Sequence, residues 1–87
     1  MPCTVRIAGP LRSYTNGAAS TQANGATVAE ILADLDRRFP GMRFRMIDEQ
    51  DRVRQHIRLF VNTKAATLGE QVRPGDEVHV ICALTGG

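Results

Sequence analysis

The chain carries a single helical stripe inside a sequence otherwise patterned for strands, and that combination leaves few folds open. Val28, Ile31, Leu32, Leu35 and Phe39 recur at the three- and four-residue spacings that line one side of an α-helix. Glu30, Asp34, Arg37 and Arg38 fall mainly on the other side, towards water. Thr27 with Glu30 three positions on is a capping-box pair, in which each side chain satisfies a free N–H of the helix start. Acid early and two arginines late complement the helix dipole, and Pro40-Gly41 stops the element. With no second helix to pack against, the stripe must be buried on a sheet.

The rest of the sequence supplies that sheet. Alternation around Val5 and Ile7 predicts a strand over 3–8, ended by Gly9-Pro10. Residues 11–17 read as turn-rich, and a weaker strand over 18–23 ends at Asn24-Gly25, so the two strands form an N-terminal hairpin with a long loop. In the mixed segment 42–47, Met42, Phe44 and Met46 alternate with Arg43 and Arg45 and read as packing at the core edge. Beyond the polar turn Asp48-Glu49-Gln50-Asp51, the residues Val53, Ile57, Leu59 and Val61 share one parity, with Gln55 the exception, which predicts the clearest strand. Asn62-Thr63-Lys64 is a turn, and Pro74-Gly75-Asp76 introduces a last strand over 77–83 with Val78, Val80 and Cys82 on one face. The expected fold class is α+β, one main helix across a mixed sheet of four to five strands. At 87 residues this is one domain, residues 1–83, followed by a flexible tail over 84–87.

Composition removes most functional classes. The longest apolar run is a few residues, far below the ~20 of a bilayer span, so no membrane partner is expected. Two cysteines without a CxxC make neither a disulfide framework nor a zinc site, which fits a reducing, cytoplasmic location. Ten Arg accompany a single Lys, and seven of the ten lie between Arg37 and Arg58, where Asp48, Glu49 and Asp51 oppose them. That stretch is read as a solvated basic face or a surface for an anionic partner. One Tyr, three Phe and no Trp leave little for bases to stack on, so no nucleic acid is expected. Catalytic material is missing: His56 and His79 stand apart with no clustered ligands, no phosphate loop or nucleophile elbow is present, and Asp48-Glu49 and Asp76-Glu77 look like turn chemistry. Cys82 shares the parity of Val78 and Val80 and reads as a small buried hydrophobe. The expectation is a non-enzyme with no metal and no cofactor of its own.

What remains is the end, Leu84-Thr85-Gly86-Gly87. A diglycine end offers an α-carboxylate on a stalk without Cβ atoms, around which a narrow channel of a second protein can close. A carboxylate is a poor electrophile and must become an acyl-adenylate before sulfur or an amine can displace the leaving group.

With these residues in place, the sequence resembles the ubiquitin-like sulfur-carrier family, the MoaD/ThiS group, over almost its whole length. Thr27-Val28-Ala29-Glu30-Ile31-Leu32, Phe39-Pro40-Gly41, Leu59-Phe60-Val61-Asn62, Pro74-Gly75-Asp76-Glu77-Val78 and Ala83-Leu84-Thr85-Gly86-Gly87 carry the likeness. Leu11-Arg12-Ser13-Tyr14-Thr15-Asn16-Gly17 looks like the branch that serves cysteine or siderophore-type thiocarboxylate biosynthesis. The resemblance implies a β-grasp fold and an E1-like partner that adenylates Gly87 with its own ATP and magnesium. It further implies a sulfur donor protein that makes the thiocarboxylate, a client synthase that takes the sulfur, and Leu84, Thr85 and Gly86 threading the partner's active site. The small subunit of molybdopterin synthase, a thiamine-pathway sulfur carrier, a ubiquitin-like protein modifier and a non-covalent β-grasp adaptor are the alternatives.

Two geometric expectations follow from that fold. The first and last strands should lie parallel and adjacent, leaving Cys3 and Cys82 some 13 Å or more apart, too far for a disulfide. Phe60 and Ile81 should face outward while their neighbours pack inside, and with Arg58 they are the expected docking patch for the activating enzyme.

Overall fold

The computed structural model describes residues 2–82. The elements are β1 (Cys3–Arg6), a 3-10 helix (Gly9–Thr15), β2 (Ser20–Ala23), α1 (Val28–Arg38), α2 (Met42–Met46), β3 (Ile57–Val61), β4 (Lys64–Ala65) and β5 (Glu77–Cys82). The strands form one mixed sheet in the order β2-β1-β5-β3-β4. Only β1 and β5 run parallel, pairing Thr4 with Glu77, Val5 with Val78 and Arg6 with His79. This is the α+β, β-grasp arrangement the sequence predicts.

The helix begins as its capping box requires. The Thr27 hydroxyl accepts from the Glu30 N–H at 3.2 Å, and the Glu30 carboxylate reaches back to the Ala26 N–H at 2.8 Å, one residue before the expected one. Val28, Ile31, Leu32 and Leu35 are fully buried against Val5, Ile7, Leu59, Val78 and Val80 from the sheet. Each such side chain contributes about 1.5–3 kcal/mol by leaving water.

The structure corrects several local readings. Asp34 is not on the wet side of α1; it is buried at 7% exposure because its carboxylate accepts from the Asn24 N–H and pairs with Arg37 and Arg38. Residues 9–15 form a 3-10 helix rather than loose turns, with Pro10 in the first turn, where its missing N–H costs nothing. The segment 42–47 is mostly helical: Met42 and Met46, four apart, are buried, and Phe44 points away at 55% exposure. Val53 is not part of β3; it makes an isolated bridge to Ile47, because Asp48 captures the N–H groups of Gln50 and Arg52 and folds the chain back. The first two strands are also shorter than predicted, although Ile7 continues the hairpin by donating to Ala19 O at 2.8 Å.

Extending the β1–β5 register puts Cys82 six positions beyond Cys3, roughly 20 Å along the sheet. Both thiols are free.

Candidate functional site

One face of the sheet is covered by α1 and α2; the other is open. Strand alternation dictates what it presents. Cys3 and Val5 on β1, Val78 and Val80 on β5, and Ile57 and Leu59 on β3 turn inward. Arg6, Glu77, His79, Ile81, Arg58 and Phe60 therefore stand on the open side. Arg58 pairs directly with Ile81, and Phe60 with His79, so Phe60 and Ile81 are diagonal neighbours on adjacent strands, a separation of roughly 7–8 Å that an aromatic side chain spans.

The three residues expected to form a docking patch are thus brought together. Ile81 is 45% exposed, Phe60 is half-buried and Arg58 is exposed. The Arg58 guanidinium donates to Gln55 O at 2.6 Å and to Ile57 O at 3.1 Å, which holds it along β3. Beside them sits a polar cluster that sequence reasoning missed. Glu77 accepts from His79 Nε2 at 2.8 Å and lies 3.5 Å from the Arg6 guanidinium. The i, i+2 spacing of Glu77 and His79 was the available signal; the contribution of Arg6 comes only from the parallel register, 71 positions away.

Ile81 immediately precedes Cys82, so the patch lies at the end of the last described residues. Gly87, Leu84, Thr85 and Gly86 lie outside the described residues. Cys82 is half-buried rather than fully packed with Val78 and Val80, because β1, on that flank of β5, has already ended at Arg6. Burial nevertheless pushes its thiol pKa up, away from the thiolate a nucleophile needs. Burial, and then the Asp76 carboxylate, push Cys3 the same way, and its Sγ donates to Arg73 O at 3.1 Å. Among the described residues, no three of His, Cys, Asp and Glu come together to hold a metal, and no helix is long and apolar enough to cross a membrane.

One main helix, α1, clasped by a five-stranded mixed sheet that leaves its other face open defines a ubiquitin-like β-grasp protein. Within that class the chain belongs to the ThiS family, whose profile matches residues 5–87. It is similar to the sulfur carrier protein CysO of Mycobacterium tuberculosis, 29% identical over an alignment 93 positions long that covers all of both chains. A solved structure of the Amycolatopsis orientalis BexX/CysO complex contains a chain 34% identical to this one, with a TM-score of 0.90 over 98% of this chain and 99% of that one. SAMP1 from Haloferax volcanii, 24% identical with a TM-score of 0.86 over the full length of both, shares the fold. The curated relatives are carriers rather than enzymes.

Proposed function

We propose that this chain is a sulfur carrier protein whose reactive group is the α-carboxylate of Gly87. An E1-like enzyme, holding ATP and magnesium, transfers AMP to that carboxylate and releases pyrophosphate. A hydrosulfide equivalent from a sulfur donor protein then adds to the acyl carbon, and AMP leaves with the electron pair, so that Gly87 ends as a thiocarboxylate. A client synthase of a cysteine or siderophore-type pathway takes the sulfur and returns the carboxylate. The carrier contributes positioning: Leu84, Thr85 and Gly86 thread the partner's channel, and the absence of side chains at the last two residues leaves the acyl carbon open to attack. Arg58, Phe60 and Ile81 form the docking patch at the root of that tail. The described residues 2–82 act as the handle that presents residues 84–87 to the partner. A cytoplasmic location is part of the same proposal and fits two free thiols.

The observation that carries the reading is the family match, which extends through Gly87 rather than ending with the globular core. Intact-mass measurement after expression with the activating enzyme tests it. Exchange of one oxygen for one sulfur, lost on deletion of Gly86 and Gly87, is the expected result. Isopeptide adducts to other proteins instead would identify a protein modifier, and full cellular function without the two glycines would identify a non-covalent adaptor.

A further inference from the structure

Where β5 runs out, a cleft of about 760 Å3 opens between the 3-10 helix, α2 and the turn before β3. Tyr14, Phe44, Arg45, Arg54 and His56 line it, and Cys82 forms part of its wall. Arg54 lies over the Phe44 ring at 4.5 Å, and its Nε donates to the Phe44 carbonyl at 2.6 Å. Arg45 lies over the Tyr14 ring at 5.8 Å, and its Nε donates to the Tyr14 hydroxyl at 2.6 Å. Stacking and one Nε bond fix each guanidinium plane but use none of its terminal nitrogens.

Four of the other arginines have a carboxylate partner, whereas Arg12, Arg52, Arg58 and Arg73, like Arg45 and Arg54, have none among the described residues. Arg6 pairs with Glu77, Arg37 and Arg38 with Asp34, and Arg43 with Asp51. Among the described residues no carboxylate pairs with Arg45 or Arg54, although Glu49 also lines the cleft. Two forks, each oriented by a ring contact and one Nε bond and keeping unused donors, are partly organised in advance for planar anions. The Tyr14 and Phe44 rings each already carry an arginine, and Pro10 and Leu11 give the cleft an apolar wall suited to a protein side chain.

We infer that this cleft is a second docking site, which receives a carboxylate-bearing segment at the rim of the channel that takes the tail. The inference rests on the carrier reading: Cys82, the last described residue, forms part of the cleft wall, so an enzyme that engages the residues beyond it works next to Arg45 and Arg54. The occupant is an acidic protein segment, matched by charge to the arginine-rich stretch 37–58.

The test is the KM for the carrier in adenylation by the E1-like enzyme of the source organism. The double variant R45Q/R54Q should raise KM about tenfold or more with little change in kcat, and added salt should weaken the wild type more than the variant. E49Q, an exposed change that removes the one acid among the described residues lining the cleft, should lower KM about twofold. K64Q/R73Q removes the same charge at the opposite end of the sheet and should leave KM unchanged. Equal rises in the two double variants would reduce the effect to general steering and overturn the inference, as would unchanged values for both R45Q/R54Q and E49Q. Saturable NMR shifts of Arg45, Arg54 and His56 in millimolar inorganic phosphate, competing with the enzyme, would reassign the cleft to a small phosphate and likewise overturn it. Failure of the carrier reading is separately visible, because the wild type would then not be adenylated at all.

Discussion

Asp34 shows how much a single buried charge decides in a protein this small. The Asn24 N–H, then the Arg37 guanidinium, hold its carboxyl below the ordinary carboxylate range. A lowered pKa in the folded state means that protonation favours the unfolded chain. The stabilisation is therefore whole above the ordinary value near 4 and is lost as pH falls through the lowered one. Asp34→Ala should cost about 1–3 kcal/mol at neutral pH, because Asn24 and the two arginines lose their acceptor, and the gap to wild type should narrow in thermal melts taken towards pH ~2. The helical spacing placed Asp34 towards water. It did not show that β2 ends against that side of α1, which is a tertiary fact. Gly25 carries a similar lesson. Read as half of a turn signal, it is required for close approach: a Cβ there would meet Glu30 Cβ and Ile31 N at 2.8 Å. Gly25→Ala should accordingly destabilise by about 1–3 kcal/mol in urea unfolding, more than a turn glycine at an ordinary φ would.

At the scale of elements, the legible ones were those whose periodicity and terminal signals agreed. α1 has both, and its N-terminus appeared where Thr27 and Glu30 indicated; Thr27→Ala should lower stability by about 1 kcal/mol. β5, with Pro74-Gly75-Asp76 before it, and the core of β3, with the turn at Asn62 after it, were legible in the same way. α2 was not, since Met42, Phe44 and Met46 satisfy a two-residue alternation and a four-residue repeat equally well over five residues. Substitution separates these periods. Met46→Ala should cost about 2–5 kcal/mol by leaving a cavity under the helix, while Phe44→Ser should fall within about 1 kcal/mol of wild type. A strand, with all three residues on one face, would make the two losses comparable. The arginine cleft was illegible for the same reason: it joins Tyr14 to Arg45 across 31 positions, through two short helices that propensity alone does not define.

At the scale of the whole molecule, the sheet order decides what the open face presents. Putting β5 between β1 and β3 brings Arg58, Phe60 and Ile81 together at the base of the C-terminal residues. The double variant F60S/I81S should lower kcat/KM for adenylation about tenfold or more while leaving the helix-covered core intact in thermal melts. Reductant should leave the melting temperature unchanged, since both thiols are free and far apart along the sheet. The site was therefore readable as a set of outward-facing residues, whereas the Arg6–Glu77–His79 cluster beside it needed the strand register.

The parallel pairing of the first strand with the last also orders events in time. During synthesis β1 and β2 emerge first as a hairpin, yet the apolar face of β1 stays incomplete until its neighbour, encoded more than seventy positions later, clears the ribosome. The nascent chain can thus finish folding only once residues 77–82 have emerged, so a product truncated before them offers no finished surface for any enzyme to grip.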